Sequence, residues 1–159
     1  AVALSHGRIV TILSAGNDAA KSFTVTGTDI NGEAQTESIT GANAGTATGT
    51  KFFKTISGIS AVGNPAGNVS AGVNTSAADV IFAGRSRLKG IYLTSTATAG
   101  TVDFLNTSPS GTSIMGLSSV GDADATRDVV IPDEGVLFDD GIYIEYTVST
   151  FLTMTVFHA

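Results

Sequence analysis

Phe23-Thr-Val-Thr-Gly-Thr28, then Asp29-Ile-Asn-Gly32, then Glu33-Ala-Gln-Thr-Glu-Ser-Ile-Thr40, decides the fold. Phe23, Val25 and Gly27 fall on one side of a period-two pattern and three Thr on the other, the signature of a half-buried strand. Asn31-Gly32 predicts a hairpin turn, because Asn and Gly accept the positive backbone angles that tight hairpins need. Residues 33–40 then return as a more polar strand.

The same grammar extends in both directions. Residues 9–13 read as a preceding strand and residues 50–57, with the Phe52-Phe53 pair, as a following one. Gly63-Asn-Pro-Ala-Gly67 is a turn leading to a short strand at residues 68–73. The stretch Val73-Asn-Thr-Ser-Ala-Ala78 is small, polar and unpatterned, which places a boundary between two halves, 1–78 and 79–159. Val80-Ile-Phe82 reads as fully buried and residues 88–96 as a long strand. In residues 101–106 the pattern points Val102 and Phe104 inward. Further strands are expected at 113–117, 129–131 and 151–157. Between them, Pro132-Asp-Glu-Gly135 and Asp139-Asp-Gly141 are turns. Ile142, Ile144, Tyr146 and Val148 form one face of another strand, with Tyr143, Glu145 and Thr147 on the other. Helical periodicity never persists. The expected fold is all-β, antiparallel, in two sandwich-like halves, with little or no helix.

Composition agrees. Of 159 residues 38 are Ser or Thr and 19 are Gly, and the β-branched types suit a pleated surface. Charged residues make up only 14%, and hydrophobic ones 42%, the opposite of a disordered chain. Solvent-facing positions are therefore filled by Thr, Ser, Asn and Ala, a surface suited to packing against other proteins. Only three of eleven aromatics, Phe23, Phe52 and Phe53, precede residue 79. The first half is thus core-poor, and a small core rarely yields more than ~3–5 kcal/mol net.

Charge is uneven too. Residues 1–78 hold four basic and four acidic groups, and residues 79–159 hold four and ten, so the second half carries the whole net charge of −6. Phosphate binding needs a basic footprint, so nucleic acid is not an expected partner. Runs such as Asp79-Val-Ile-Phe-Ala83 are too short for a membrane span. Residues 1–8 show no basic region followed by an apolar one, so no signal peptide is expected. Three glycosylation sequons, at Asn68, Asn74 and Asn106, are what chance produces in so Asn-, Ser- and Thr-rich a chain.

Chemistry-bearing patterns are few. The absence of Cys removes disulfides, thiolate metal sites and thiol nucleophiles. Asp122-Ala-Asp-Ala-Thr-Arg-Asp128 spaces acidic oxygens somewhat like a calcium loop, but Arg127 stands where such a loop requires Gly, so a solvated acidic loop is expected. His6 and His158 have no second ligand at metal spacing and are expected as exposed terminal residues. No Gly-x-Ser-x-Gly elbow occurs. Residues 45–51 lack the Gly-Lys step of a phosphate loop. Asp133-Glu134 and Asp139-Asp140 could pair as acid and base for glycoside hydrolysis, but beside Gly135 and Gly141 they read as turn residues. No catalytic residue, cofactor or metal is expected.

One constellation remains. Arg85, Arg87 and Lys89 at alternate positions form a basic stripe on one face of a strand. The acidic stretch 122–134, with Asp122, Asp124 and Asp128, is its natural counterpart, either between copies or within one chain. The stripe also fits a charged sheet edge that discourages strand addition.

Several phrases of the chain add a resemblance. Thr26-Gly-Thr-Asp-Ile-Asn-Gly-Glu-Ala-Gln-Thr-Glu37, Gly41-Ala-Asn-Ala-Gly45 and Lys51-Phe-Phe-Lys-Thr-Ile56 resemble small β-rich structural proteins of tailed bacteriophages. So do Gly90-Ile-Tyr-Leu93, Ala99-Gly-Thr-Val102 and residues 131–135 through Gly141-Ile-Tyr143. That class includes capsid decoration (cement) proteins and tail or fibre components. The resemblance implies a homo-oligomeric, non-enzymatic part of a virion, assembled in the host cytoplasm. It would bind the major capsid protein or other virion proteins. A tail, fibre or adaptor subunit is the nearest alternative. A carbohydrate-binding attachment module is the other, and would need exposed aromatics drawn from Tyr92, Tyr143 or Phe151.

Overall fold

The computed structural model describes all 159 residues, and every regular element is a strand. The chain divides into two compact units, Ala1–Asn74 and Thr75–Ala159.

The first unit contains β1 (Val2–Ser14), β2 (Ser22–Thr28), β3 (Ala34–Thr40), β4 (Thr46–Ala61) and the start of β5 (Val69–Phe82). Its strand order is β3-β2-β4-β1-β5. β4 does the shaping, because it changes partner along its length. Its first part pairs with β1, from Leu13↔Thr46 to Val2↔Ile56. Its last part pairs with β2, from Thr28↔Thr55 to Phe23↔Ala61. β2 and β3 pair without interruption from Ser22↔Thr40 to Thr28↔Ala34. The hairpin then folds back over the first part of β4, where the Gln35 amide donates to the Phe52 carbonyl at 2.8 Å. Between the layers lie Val10, Ile12, Phe23, Val25, Ile39 and Phe53. At ~1.5–3 kcal/mol per large apolar side chain, this cluster is the main favourable term of the unit.

The inward triplet Phe23, Val25 and Gly27 is buried as its alternation requires. The turn after it differs from the expected two-residue form. Asp29 and Glu33 close a wider loop, Asp29 N–H donating to the Glu33 carbonyl, and the Asp29 carboxylate accepts from the Asn31 and Glu33 N–H groups. Gly32 alone takes the positive φ, 87°. The carboxylate of Asp29 thus replaces the Asn-Gly geometry as the turn's organiser.

The second unit is a sandwich. One sheet orders the end of β5, β11 (Ile142–Thr147), β7 (Gly100–Asn106) and β8 (Ser113–Ser119). The other is centred on β6 (Ser86–Ser95). β12 (Phe151–His158) flanks β6 on one side, and β9 (Thr126–Val130) and β10 (Val136–Phe138) follow one another along the opposite side. Leu88, Ile91, Leu93 and Phe138 from this sheet meet Val102, Phe104, Ile142 and Ile144 from the other. Met154, Val156 and Phe151 pack around them. Gly135 takes a φ of 77° in the turn before β10, and a Cβ there would strike the Leu88 carbonyl at 2.4 Å, so the turn requires glycine.

Three expectations are corrected. Residues 73–78 are not irregular but lie inside β5, where Ala77 and Ala78 are both fully buried. Val80-Ile-Phe82 is not fully buried: Val80 and Ile81 are half-buried and Phe82 is 42% exposed. Arg127 and Asp128 belong to β9 rather than to the acidic loop.

Candidate functional site

The basic stripe lies at the start of β6. Ser86 and Leu88 are buried and Arg87 and Lys89 point outward, as alternation demands, while Arg85 sits in the turn before the strand. All three cations find partners in the same chain. Arg85 Nε lies 3.4 Å from Asp139, Arg87 Nη2 lies 3.1 Å from Glu134, and Lys89 Nζ donates to the Asp133 carbonyl at 3.1 Å. These groups are largely exposed, and such pairs contribute ~0–1 kcal/mol each. They set the path of the turns on either side of β10 more than they stabilise the unit.

The three aspartates named with the stripe lie elsewhere along β6. The Asp122 carbonyl accepts from the Ser95 hydroxyl, and Asp124 N–H donates to the Ser95 carbonyl, both at the far end of the strand. Asp128 sits in mid-β9, directly opposite Tyr92. Only the last part of the acidic stretch, Asp133 and Glu134, reaches the stripe.

The outer face of β9-β6-β12 carries a different feature. Row by row across the sheet, Val130, Gly90 and Phe157 align, followed by Asp128, Tyr92 and Thr155, then Thr126, Thr94 and Thr153. Gly90 has no side chain, and the Phe157 ring lies over it, 3.6 Å from where a Cβ would sit, so the glycine is buried between Val130 and Phe157. Val130 is 76% exposed, Phe157 53% and Tyr92 39%. Of the aromatics expected to be open, Tyr143 is closed off at 6% and Phe151 packs against the core. Phe157 takes their place. A Gly inside the strand pattern of residues 88–96 was the available signal, because such a Gly marks close approach from a neighbour. His158, at the end of β12, is exposed as expected, but it is engaged. Its ring lies 5.2 Å from that of Phe82, and its Nδ1 is 3.2 Å from the Ser86 hydroxyl.

On the β7–β11 pair, Glu145 stands directly opposite Asp103. Burial first, and the Asp103 charge second, push the Glu145 carboxyl above its usual range. The Ser113 hydroxyl donates to Asp103 at 3.1 Å. Asp133-Glu134 and Asp139-Asp140 flank turns at Gly135 and Gly141, both at positive φ. No three of the His, Asp and Glu side chains gather as a metal site.

In the first unit an open apolar groove of about 280 Å³ is lined by Val2, Leu4, Val10, Ile56, Ile59, Ala71, Gly72 and Val73. Val2, Ile59 and Val73 present exposed apolar surface at its rim. The lining offers no group to polarise or attack a substrate. What the geometry offers in both units is apolar contact area. No helix is long and apolar enough to cross a membrane. Compared with family models, curated proteins and solved structures, the chain finds no match.

Proposed function

We propose that this chain is a structural protein of a virus particle, a capsid decoration (cement) protein that binds the head exterior and bridges neighbouring capsid subunits. The observation that carries the reading is the outward display of large apolar side chains on weakly charged strand surfaces. Val130, Phe157 and Tyr92 stand together on one face, and Val2, Ile59 and Val73 on another. Such surface is costly to leave in water and marks contact sites. The turn-and-strand phrasing shared with phage structural proteins supplies the kind of assembly. Contacts of ~800 Å² per partner are within reach of a chain this size, and repetition over a lattice lets each one be weak. The partners are the major capsid protein and further copies of the chain, with no cofactor and no nucleic acid involved.

The experiment is a map of purified particles at a resolution that locates the chain. Density on the outer head shell at positions bridging capsomers is expected. Density confined to the tail or its fibres would transfer the chain to the tail, fibre or adaptor class. A second reading draws on Tyr92 beside Asp128, since an aromatic face next to a carboxylate suits a sugar ring. Glycan-array binding abolished by Tyr92→Ala, with no association to particles, would favour that attachment module.

A further inference from the structure

We propose that β12 is a self-pairing edge, through which two copies of the chain join their β9-β6-β12 sheets into one continuous sheet across a two-fold axis. This names the surface for the self-association in the reading above and rests on that part of it alone.

β12 hydrogen-bonds to β6 on one side and ends its sheet on the other. Edge strands are usually guarded by Lys or other charges, by Pro, by a bulge, or by extreme shortness. The other edges of this protein carry such guards. β3 carries Glu37, β9 carries Arg127 and Asp128, β10 has three residues, and β8 is bulged at Ile114. β12, Phe-Leu-Thr-Met-Thr-Val-Phe-His, has eight residues and none of Asp, Glu, Lys, Arg, Gly or Pro. Its composition is almost wholly β-branched and aromatic or large apolar, and Leu152 and Phe157 are more than half exposed. Beyond the irregularity at its start, the run Thr153–Phe157 is unguarded, and it lies in the unit that bears the entire net charge of −6. A second copy is repelled by most of that unit's surface and meets no like charge here.

Among the registers that match faces, the one centred on Thr155 overlaps the most residues. In a continuous antiparallel sheet, residues directly opposite each other share a face, so a two-fold must pair outward with outward positions. Met154 and Val156 pack on the core, and Thr153, Thr155 and Phe157 face out. Pairing Thr155 with Thr155 of the second copy sets Phe157 opposite Thr153 and Met154 opposite Val156, with both faces matched. Centring on Met154 instead would place inward Phe151 opposite outward Phe157, because the irregularity between Phe151 and Thr153 switches the face. The strip is ~26 Å long at ~3.3 Å per residue. Its area lies at the low end of specific interfaces, so pairing is concentration-dependent in solution and reinforced when copies sit on a lattice. The pair would place both Tyr92–Phe157 patches on one continuous face.

The test uses the intact chain and three single variants in sedimentation equilibrium from ~10 to ~500 µM. The wild type is expected to approach twice the chain mass across this range. Thr155→Lys sets two ammonium groups face to face on the axis and should weaken association at least tenfold. Ile114→Lys, on the β8 edge, should leave it unchanged. Thr155→Cys in this otherwise Cys-free chain should give a covalent dimer on mild oxidation or with a short bis-maleimide. Circular dichroism and melting of Thr155→Lys check that its fold is kept. A wild type that stays at single-chain mass throughout overturns the proposal, as does a dimer indifferent to Thr155→Lys or broken by Ile114→Lys. A single chain that still coats particles would sink this inference and leave the decoration role intact. A Thr155-dependent dimer that ignores particles would do the reverse.

Discussion

The two units reach a stable β-fold by different means. The second closes two sheets over eight buried core residues, with a further ring of half-buried apolar side chains from six of its strands. The first has six core residues and few apolar side chains around them, and completes itself with polar joints. Glu37 is the chief of these. Between Ile9↔Phe52 and Thr11↔Thr48 the β1–β4 ladder is interrupted, leaving the β4 backbone at residues 49–51 bulged. The buried Glu37 carboxylate accepts from Thr50 N–H at 2.6 Å, from the Thr50 hydroxyl at 3.0 Å and from Lys51 N–H at 3.4 Å. Gly49 leaves room for it, since a Cβ there would lie 2.5 Å from Oε2. Asp18 acts similarly on the loops, its fully buried carboxylate accepting from Ala66 N–H at 2.7 Å. A chain short of large apolar residues can thus hold a fold by satisfying irregular backbone with buried carboxylates.

The sharpest way to break this comparison is to remove core from the weaker unit. Phe53→Ala should cost ~3–5 kcal/mol, about all that a small core yields net. Hydrogen exchange should then show β1–β4 amides losing protection while β6, β7 and β11 keep theirs. Simultaneous loss in both would mean that they unfold as one body, and the contrast would fail.

A polar joint comes next. Glu37→Leu keeps the volume but leaves the Thr50 and Lys51 N–H groups without their acceptor, at a cost of ~2–3 kcal/mol. Chemical denaturation checks it. A loss under ~0.5 kcal/mol would mean the bulge does not depend on that carboxylate. In the second unit the ion pairs of the basic stripe lie at the surface, so Arg87→Ala should cost less than ~1 kcal/mol and less still at high salt.

The smallest effect expected is a pH slope. The Glu145 carboxyl is raised in the folded state, so the fold binds its proton more tightly than the unfolded chain does. That contribution is fully present below the ordinary carboxyl range and is lost as pH rises through the raised value. Melting temperatures from pH 4 to pH 7 (a range on the order of the carboxylate titration) should therefore fall less steeply for Glu145→Gln than for the wild type. A steeper fall would contradict the assignment.

Parts of the second unit were legible because large apolar residues recur at alternate positions in β7 and β11. Val102 and Phe104 point inward and Ile142 and Ile144 share a face, as their spacing indicates. β5 was hidden because Ala, Gly, Ser and Thr provide no hydropathy contrast. Ala77 and Ala78 are buried on opposite faces, which no alternation can signal. β10 is three residues long and was absorbed into its flanking turns. The Arg85–Lys89 stripe was readable as charge, but its neutralisation depends on where Asp133, Glu134 and Asp139 return in space. The cover that Phe157 lays over Gly90 likewise exists only once β12 is laid against β6.

In the proposed decoration role the outward surfaces would grip other subunits, and particle stability measures that grip most directly. Heads stripped of this protein should rupture at a lower temperature than intact heads, and adding the purified chain back should restore the original value. Rupture at the same temperature with and without it would contradict the account.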